Sequence, residues 1–486
     1  MAVALGWGSR HGPAPEDHVN WPQVEISGLP QNNSDPMNEW MEAEARVERA
    51  HELYDSGRWA EAAAELKAAI TVNPYNPSWL FNFGLTLEAL DEYEAACKAY
   101  KDALELMPDD VETLNCLGVN LTRLGQYAEA LSCFERIEHL DPTFEPAYCN
   151  RIVTYAEMGQ HDEAEVVFYL AQQLKEDCPL CFYNIGNSLY SRSEYERAIY
   201  CWQRTLEIEP THPHAHVRIA EAHWAQGDFP AARRHYEAEL RLDPNDADVL
   251  VDLGDLLGEM NRWPEAERKY IRAAEVEPDN PSAQFCLGEL ALRNSRPAEA
   301  EDRFRRVLRL DPDYPGVHAR LAQALIRLKR VQEAAKHLLR EMRRCGDDPL
   351  ALQELGQLLL EAHMTRQAND ILRRVVAIQP DDPHAQHNLA VSFFRMHRIE
   401  DGIRHCRRAL KLKPDYPLAL YNLALAHLQK NQLPRARRYL ARALTLAPKD
   451  EHLRRLSRRL GVAGFWSKLR HRLLPRRGDA EVQGLE

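Results

Sequence analysis

Positions that hold a small residue, a bulky residue or a proline recur along the chain at a fixed interval of 34 residues. When the recurring proline is numbered position 32, position 8 is small, position 20 is alanine and position 24 is bulky in nearly every interval. Ten of the twelve points hold Pro74, Pro108, Pro142, Pro210, Pro244, Pro278, Pro312, Pro380, Pro414 and Pro448, and the other two hold Glu176 and Gly346. A fixed interval of this size predicts a tandem array of structural repeats.

The same positions predict the structure of one repeat. We expect two antiparallel α-helices, in which the small residue at position 8 faces the alanine at position 20 and lets the helices approach closely. The bulky residue at position 24, such as Tyr100 or Phe134, would fill the space between neighbouring repeats. The proline ends the second helix because it has no N–H group and clashes with the preceding turn. Stacking builds the core, since one repeat cannot bury its apolar face alone.

This pattern resembles the tetratricopeptide repeat, over about twelve repeats. The resemblance implies an all-α tetratricopeptide-repeat superhelical solenoid that binds proteins and is not an enzyme. We expect a disordered segment over residues 1–34, repeats over 35–450, a capping helix over 451–461 and a basic amphipathic tail over 462–486. The capping helix is predicted because leucines with helical spacing follow the last proline.

The resemblance also implies that the first helices line a concave groove through positions 2, 5, 6 and 9. Asparagine and aromatic residues are frequent there. Asn184 and Arg218 match two positions of a carboxylate clamp, but its other positions hold Cys149, Val153 and His214 in place of Lys, Asn and Lys, so no clamp is predicted. The predicted peptide-binding residues are Phe81, Asn82, Asn115, Asn150, Tyr183, Asn184, Asn187, Arg218, Asn388, Tyr421 and Asn422. Amide side chains can donate to and accept from the main chain of an extended peptide. The alternative is that they bond between neighbouring helices and only stabilise the fold.

The middle of the predicted groove is acidic. The residues of this acidic patch are Glu221, Asp248, Asp252, Asp255 and Glu289. A basic segment of a ligand would suit it, and the chain's own basic C-terminus is one candidate.

Charge is unevenly distributed along the 486 residues. The net charge is −13, which argues against a nucleic-acid-binding protein. Residues 401–486 nevertheless contain 20 Lys and Arg against 7 Asp and Glu. This basic end has three interpretations. It could bind an anionic membrane surface and so recruit the protein to the membrane as an assembly factor, it could bind the acidic patch, or it could only aid solubility.

Several classes of protein lack support in the sequence. No run of 18 apolar residues predicts a transmembrane helix, and the N-terminus lacks the features of a signal peptide. Ten cysteines without such a signal indicate free thiols in a reducing compartment, so we expect a cytoplasmic protein. No nucleotide-binding, hydrolase or metalloprotease motif is present, and no cofactor is predicted.

A Cys-x-x-Cys pair, Cys178 and Cys181, interrupts the repeat pattern. One repeat later, His212 and His214 occupy the corresponding turn. These four residues could form a Cys₂His₂ zinc site, and the cysteines alone could form a redox pair. We expect neither: Cys178 would simply end a helix, Cys181 would pack beneath Phe182, and no metal would be bound.

Overall fold

A computed structural model describes residues 36–344 and 346–461 of the chain. These residues form α-helices joined by short turns, and no β-strand occurs among them. The chain divides into two compact units, Met1–Arg192 and Ser193–Glu486. The predicted disordered segment 1–34 and the predicted basic tail 462–486 lie outside the described residues.

The first unit contains nine helices within its described residues; the first eight pack as consecutive pairs, and the ninth packs against the two helices before it. They are α1 (Pro36–Asp55), α2 (Trp59–Val72), α3 (Pro77–Ala89), α4 (Tyr93–Leu106), α5 (Val111–Arg123), α6 (Tyr127–Leu140), α7 (Glu145–Glu157), α8 (His161–Leu174) and α9 (Pro179–Ser191).

The second unit continues the same arrangement. Its helices are α10 (Tyr195–Ile208), α11 (Ala215–Ala225), α12 (Phe229–Leu242), α13 (Ala247–Glu259), α14 (Trp263–Val276), α15 (Pro281–Arg293), α16 (Pro297–Leu310), α17 (Val317–Arg327), α18 (Val331–Arg344), α19 (Pro349–Glu361), α20 (Thr365–Ile378), α21 (Pro383–Arg395), α22 (Ile399–Leu412), α23 (Pro417–Gln429), α24 (Leu433–Leu446) and α25 (451–461).

Local sequence accounts for the helix ends. Before α3, the Asn76 side chain accepts a hydrogen bond from the backbone N–H of Trp79, and Pro77 occupies the first helical position. This is a favourable N-cap followed by a residue whose φ angle is already helical. At the C-terminal end of α2, Asn73 has an extended backbone, as expected for a residue that precedes a proline.

The turn inside each helix pair places a residue in the left-handed region at position 15 of every repeat. The twelve residues are Gly57, Asp91, Gly125, Gly159, Ser193, Gly227, Asn261, Ser295, Lys329, His363, His397 and Asn431. Only four of them are glycines, although glycine adopts a positive φ angle at the lowest cost. The turn geometry is therefore imposed by the packing of the two helices as well as by local sequence.

The packing of position 8 differs from our prediction. We expected it to face position 20, with the bulky residue at position 24 between repeats. Instead, the atoms nearest a side chain at Gly84, Gly118 or Gly254 all belong to the position-24 residue of the same helix pair. The ring at position 24 packs against the position-8 residue of its own repeat. It fits there because glycine has no side chain to occupy that space.

The C-terminal helix α25 closes the array in the second unit. Leu453, Leu456 and Leu460 are buried in one apolar cluster with Leu420 and Leu440 of the preceding helices. The predicted all-α fold of stacked helix pairs with a C-terminal capping helix is confirmed.

Candidate functional site

The first helices of successive repeats in the second unit enclose a cleft of about 960 Å³. Its lining comes from α11, α13, α14, α15 and α17 and from the turns before α14 and α17. Three of the five residues of the predicted acidic patch, Asp252, Asp255 and Glu289, line this cleft.

Aromatic rings form much of the remaining wall. The ring centroids of Phe285 and Tyr314 lie 5.0 Å apart. The indole N–H of Trp224 donates to Glu259 over 2.8 Å, and the guanidinium of Arg293 lies 3.7 Å from the ring centroid of Trp263. The cleft therefore already holds one cation against one of its aromatic faces, an arrangement that such rings stabilise.

Four carboxylates of the acidic patch have partners. Glu221 pairs with Arg218 at 2.9 Å, and Glu289 pairs with Arg320 at 2.6 Å. Asp248 accepts a hydrogen bond from the side-chain amide of Asn280 over 3.1 Å, and Asp255 accepts one from the hydroxyl of Tyr270 over 2.6 Å. Burial raises the pKa of Asp255, and hydrogen bonds from Tyr270 and Cys286 counteract this.

Asp252 is different, because no hydrogen-bond donor or cation among the described residues is paired with its half-buried carboxylate. Burial is the largest cause of a pKa raised to about 7 at Asp252, and the negative charges of Glu221, Asp255, Asp248 and Asp246 contribute to the same shift. Its ionised form is thus poorly compensated by the protein itself. A positively charged group entering the cleft would supply the missing partner.

The predicted groove asparagines bond to the preceding repeat. Nδ2 of Asn150 donates to Oδ1 of Asn115 over 2.8 Å, and Nδ2 of Asn184 donates to the carbonyl oxygen of Cys149 over 3.2 Å. Asn82 Nδ2 lies 3.3 Å from a ring nitrogen of His51, and Asn422 Nδ2 lies 2.9 Å from one of His387. These contacts fit the interpretation in which asparagine stabilises the fold. Since each amide offers two donor hydrogens and an acceptor, peptide binding by these residues stays a prediction.

The structure divides the other predicted groove residues between the two units. In the first unit, Tyr183 is buried, Phe81 packs against Tyr100, and Oδ1 of Asn187 is buried without a partner among the described residues. In the second unit, Arg218 lies in α11, Asn388 in α21 and Tyr421 in α23. Each unit therefore presents its own set of candidate groove residues.

We expect Asn150→Ala to lower the free energy of unfolding by about 1 kcal/mol, because the buried Oδ1 of Asn115 loses its donor. Thermal melting of the variant measures the effect. An unchanged melting temperature would show that this hydrogen bond does not stabilise the fold.

The cysteine pair has a third member that the sequence did not indicate. Among the described residues, the thiols of Cys149, Cys178 and Cys181 form the one group of three or more potential metal ligands whose donor atoms all lie within 4.8 Å. Our expectation that Cys178 ends a helix is wrong: α8 ends at Leu174, and Cys178 is the N-cap of α9.

His212 and His214 belong to the second unit and have contacts there. A ring nitrogen of His212 lies 3.1 Å from the carbonyl oxygen of Pro213, and the backbone N–H of His214 donates to Glu239 over 3.2 Å.

None of the described helices is both long enough and apolar enough to cross a membrane.

Comparison with known proteins identifies the class of repeat. A tetratricopeptide repeat model matches residues 47–111, 183–247, 251–315 and 387–451, and two related models match 291–340 and 111–137. These matches cover more than half of the chain, which therefore belongs to the tetratricopeptide repeat family. Its repeats make it a protein-interaction scaffold.

Individual relatives are distant. Human protein arginine N-methyltransferase 9 is 37% identical over 68 residues, which are 14% of this chain and 8% of that protein. The crystal structure of the APC/C hetero-tetramer Cut9-Hcn1 has 14% identity and a TM-score of 0.44, and the match covers 87% of this chain and 98% of that one. The crystal structure of yeast Tom70 has 14% identity and a TM-score of 0.36, and the match covers 88% of this chain and 97% of that one.

Proposed function

We propose that the chain is a non-catalytic cytoplasmic scaffold that binds a basic, extended segment of a partner protein in the cleft of its second unit. In this proposal one Lys or Arg side chain of the partner enters beside Asp252. The tetratricopeptide repeats over residues 35–450 provide the framework, and the first helices provide the contacts.

The unpaired carboxylate of Asp252 carries the proposal. Four acidic neighbours disfavour its ionised form, and the residues around it supply no cation in return. A guanidinium or ammonium group would neutralise Asp252 and weaken its repulsion with those neighbours. The gain is larger in a half-buried cleft than on an open surface, because solvent screens the interaction less.

The aromatic wall supports the same class of ligand. Trp224, Tyr270 and Phe285 line the cleft together with the carboxylates. Aromatic faces attract Lys and Arg side chains and also pack against their aliphatic stems. The carboxylates that already have partners in the free protein add negative potential, which also attracts a basic segment.

The test uses a labelled peptide with the basic sequence of residues 464–477 and a second peptide in which glutamine replaces every Lys and Arg. We expect the full chain to bind only the basic peptide in fluorescence anisotropy. Asp252→Asn should weaken binding about tenfold or more, as expected when a charged hydrogen-bond partner is lost.

Asp302→Asn is the matched control for this measurement. Asp302 is an exposed carboxylate on α16 that does not line the cleft, so the variant has the same change in net charge. Equal weakening by both variants would indicate a general charge effect and contradict the proposed site. Equal affinity for the two peptides would contradict the proposed class of ligand.

A further inference from the structure

Three buried thiols converge at the start of α9 in the first unit. Sγ of Cys149 on α7 lies 2.8 Å from Sγ of Cys181 and 3.6 Å from Sγ of Cys178. All three are free thiols, and their residues are 1%, 0% and 2% exposed. The cluster does not belong to the acidic cleft, which lies in the second unit.

The backbone holds these thiols in place. Cys178 is the N-cap of α9, and its sulfur accepts a hydrogen bond from the backbone N–H of Cys181 over 3.1 Å. Cys149 projects from α7, which packs against α9. The donors therefore come from two helices whose separation is fixed by core packing, so little conformational entropy remains to be lost when a ligand binds.

Three sulfurs this close together repel one another once they are ionised, so all three can ionise only if a cation neutralises them.

The spacing fits a metal ion of the size of zinc. Zinc–sulfur bonds of about 2.3 Å in tetrahedral geometry place neighbouring sulfurs about 3.8 Å apart. The 3.6 Å pair is close to that value, and all three sulfurs lie within 4.8 Å of one another. An ion would need only to widen the Cys149–Cys181 pair by about 1 Å.

We propose that Cys149, Cys178 and Cys181 bind one thiophilic metal ion of the zinc type. Binding replaces up to three S–H bonds by three sulfur–metal bonds, and the released protons pass to solvent. The carboxyl of Glu145, which hydrogen-bonds to Cys178 and pairs with Lys175 at 2.7 Å, lies next to the cluster but is not one of its grouped donors. This revises the expectation of no metal, which considered two cysteines and two histidines.

The test measures zinc bound to the reduced, chelator-treated full chain after addition of one equivalent of Zn²⁺. We expect one zinc per chain by elemental analysis, proton release on binding, and a sulfur-to-metal charge-transfer band when Cd²⁺ replaces Zn²⁺. Cys149→Ser leaves the Cys-x-x-Cys pair intact and should still weaken zinc binding at least about tenfold in competition with a chromogenic chelator. Cys133→Ser, which alters a half-buried cysteine of α6 outside the cluster, should bind zinc as the unaltered chain does.

Three results would overturn the proposal. The first is that the reduced unaltered chain retains no zinc, and the second is that Cys149→Ser binds zinc as tightly as the unaltered chain. The third is a Cys149–Cys181 disulfide in the freshly purified protein together with no metal binding after reduction, which would make the cluster a redox pair. If Cys149→Ser proves unfolded by circular dichroism, the charge-transfer band and proton release of the unaltered chain decide the question.

Discussion

Replacing Gly118 by alanine is expected to lower the free energy of unfolding by about 1–3 kcal/mol, the range typical of overpacking in a close-packed core. A Cβ atom at this position would lie 2.6 Å from two ring atoms of Phe134. That ring is completely buried, so it cannot turn into solvent to make room. Either the ring leaves its preferred rotamer or α5 and α6 move apart.

A second substitution should restore much of the loss. Repeats with alanine at position 8 often have leucine at position 24, as in the pairs Ala50 with Leu66, Ala322 with Leu338 and Ala424 with Leu440. The Gly118→Ala, Phe134→Leu double variant reproduces that pairing in α5 and α6. We therefore expect it to be more stable than the sum of the two single effects predicts, with a coupling energy of about 1 kcal/mol or more.

Local measurement suits this comparison because arrays of repeats need not unfold in one step. Hydrogen exchange of the amides in α5 and α6 reports the local free energy of opening in each variant. Gly346→Ala is the control, because a Cβ atom there would have no neighbour within 4 Å. Additive effects of the two core substitutions would contradict the proposed steric conflict, and so would an equal loss in Gly346→Ala.

The fold could be predicted because the repeated chemistry acts locally. A proline every 34 residues stops the second helix whatever surrounds it, and the apolar spacing decides which face is buried. The turn at position 15 was harder to recognise, since residues such as Lys329 and His363 give no turn signal and are held at positive φ by the helices on either side. The partner of position 8 was mistaken because periodicity gives spacing along the chain but not the direction of a side chain across a helix pair.

The sites depend on contacts that periodicity cannot show. The acidic patch was visible in the sequence, yet only the structure shows that Arg320 neutralises Glu289 while Asp252 is left without a cation. Cys149 lies 29 residues before Cys178 in the chain. Their thiols meet because α7 packs against α9, and the Cys-x-x-Cys spacing alone gave no indication of the third donor.

The Asp252→Asn variant is expected to be more stable than the unaltered chain at pH 8, by about 1–3 kcal/mol. The usual pKa of this carboxyl is 3.8, and in the folded protein it is raised to about 7. Between these values the folded chain retains a proton that the unfolded chain releases, so stability is lost as the pH rises through this window. Below about pH 4 both states are protonated and the penalty is absent. Asparagine cannot ionise and therefore avoids the penalty.

Thermal melting of the two proteins between pH 4 and pH 8 measures this difference. Their melting temperatures should be similar near pH 4 and should separate as the pH approaches 7, whereas Asp302→Asn should follow the unaltered chain throughout. The same carboxylate should bind the basic peptide more tightly as the pH rises through 7, because a cationic ligand favours its ionised form. Ionisation of Asp252 would then lower the stability of the fold and strengthen binding of the peptide. This combination is expected of a carboxylate that serves function and not stability. Melting curves that differ by the same amount at every pH would contradict the assignment, because the difference would then arise from packing and not from charge.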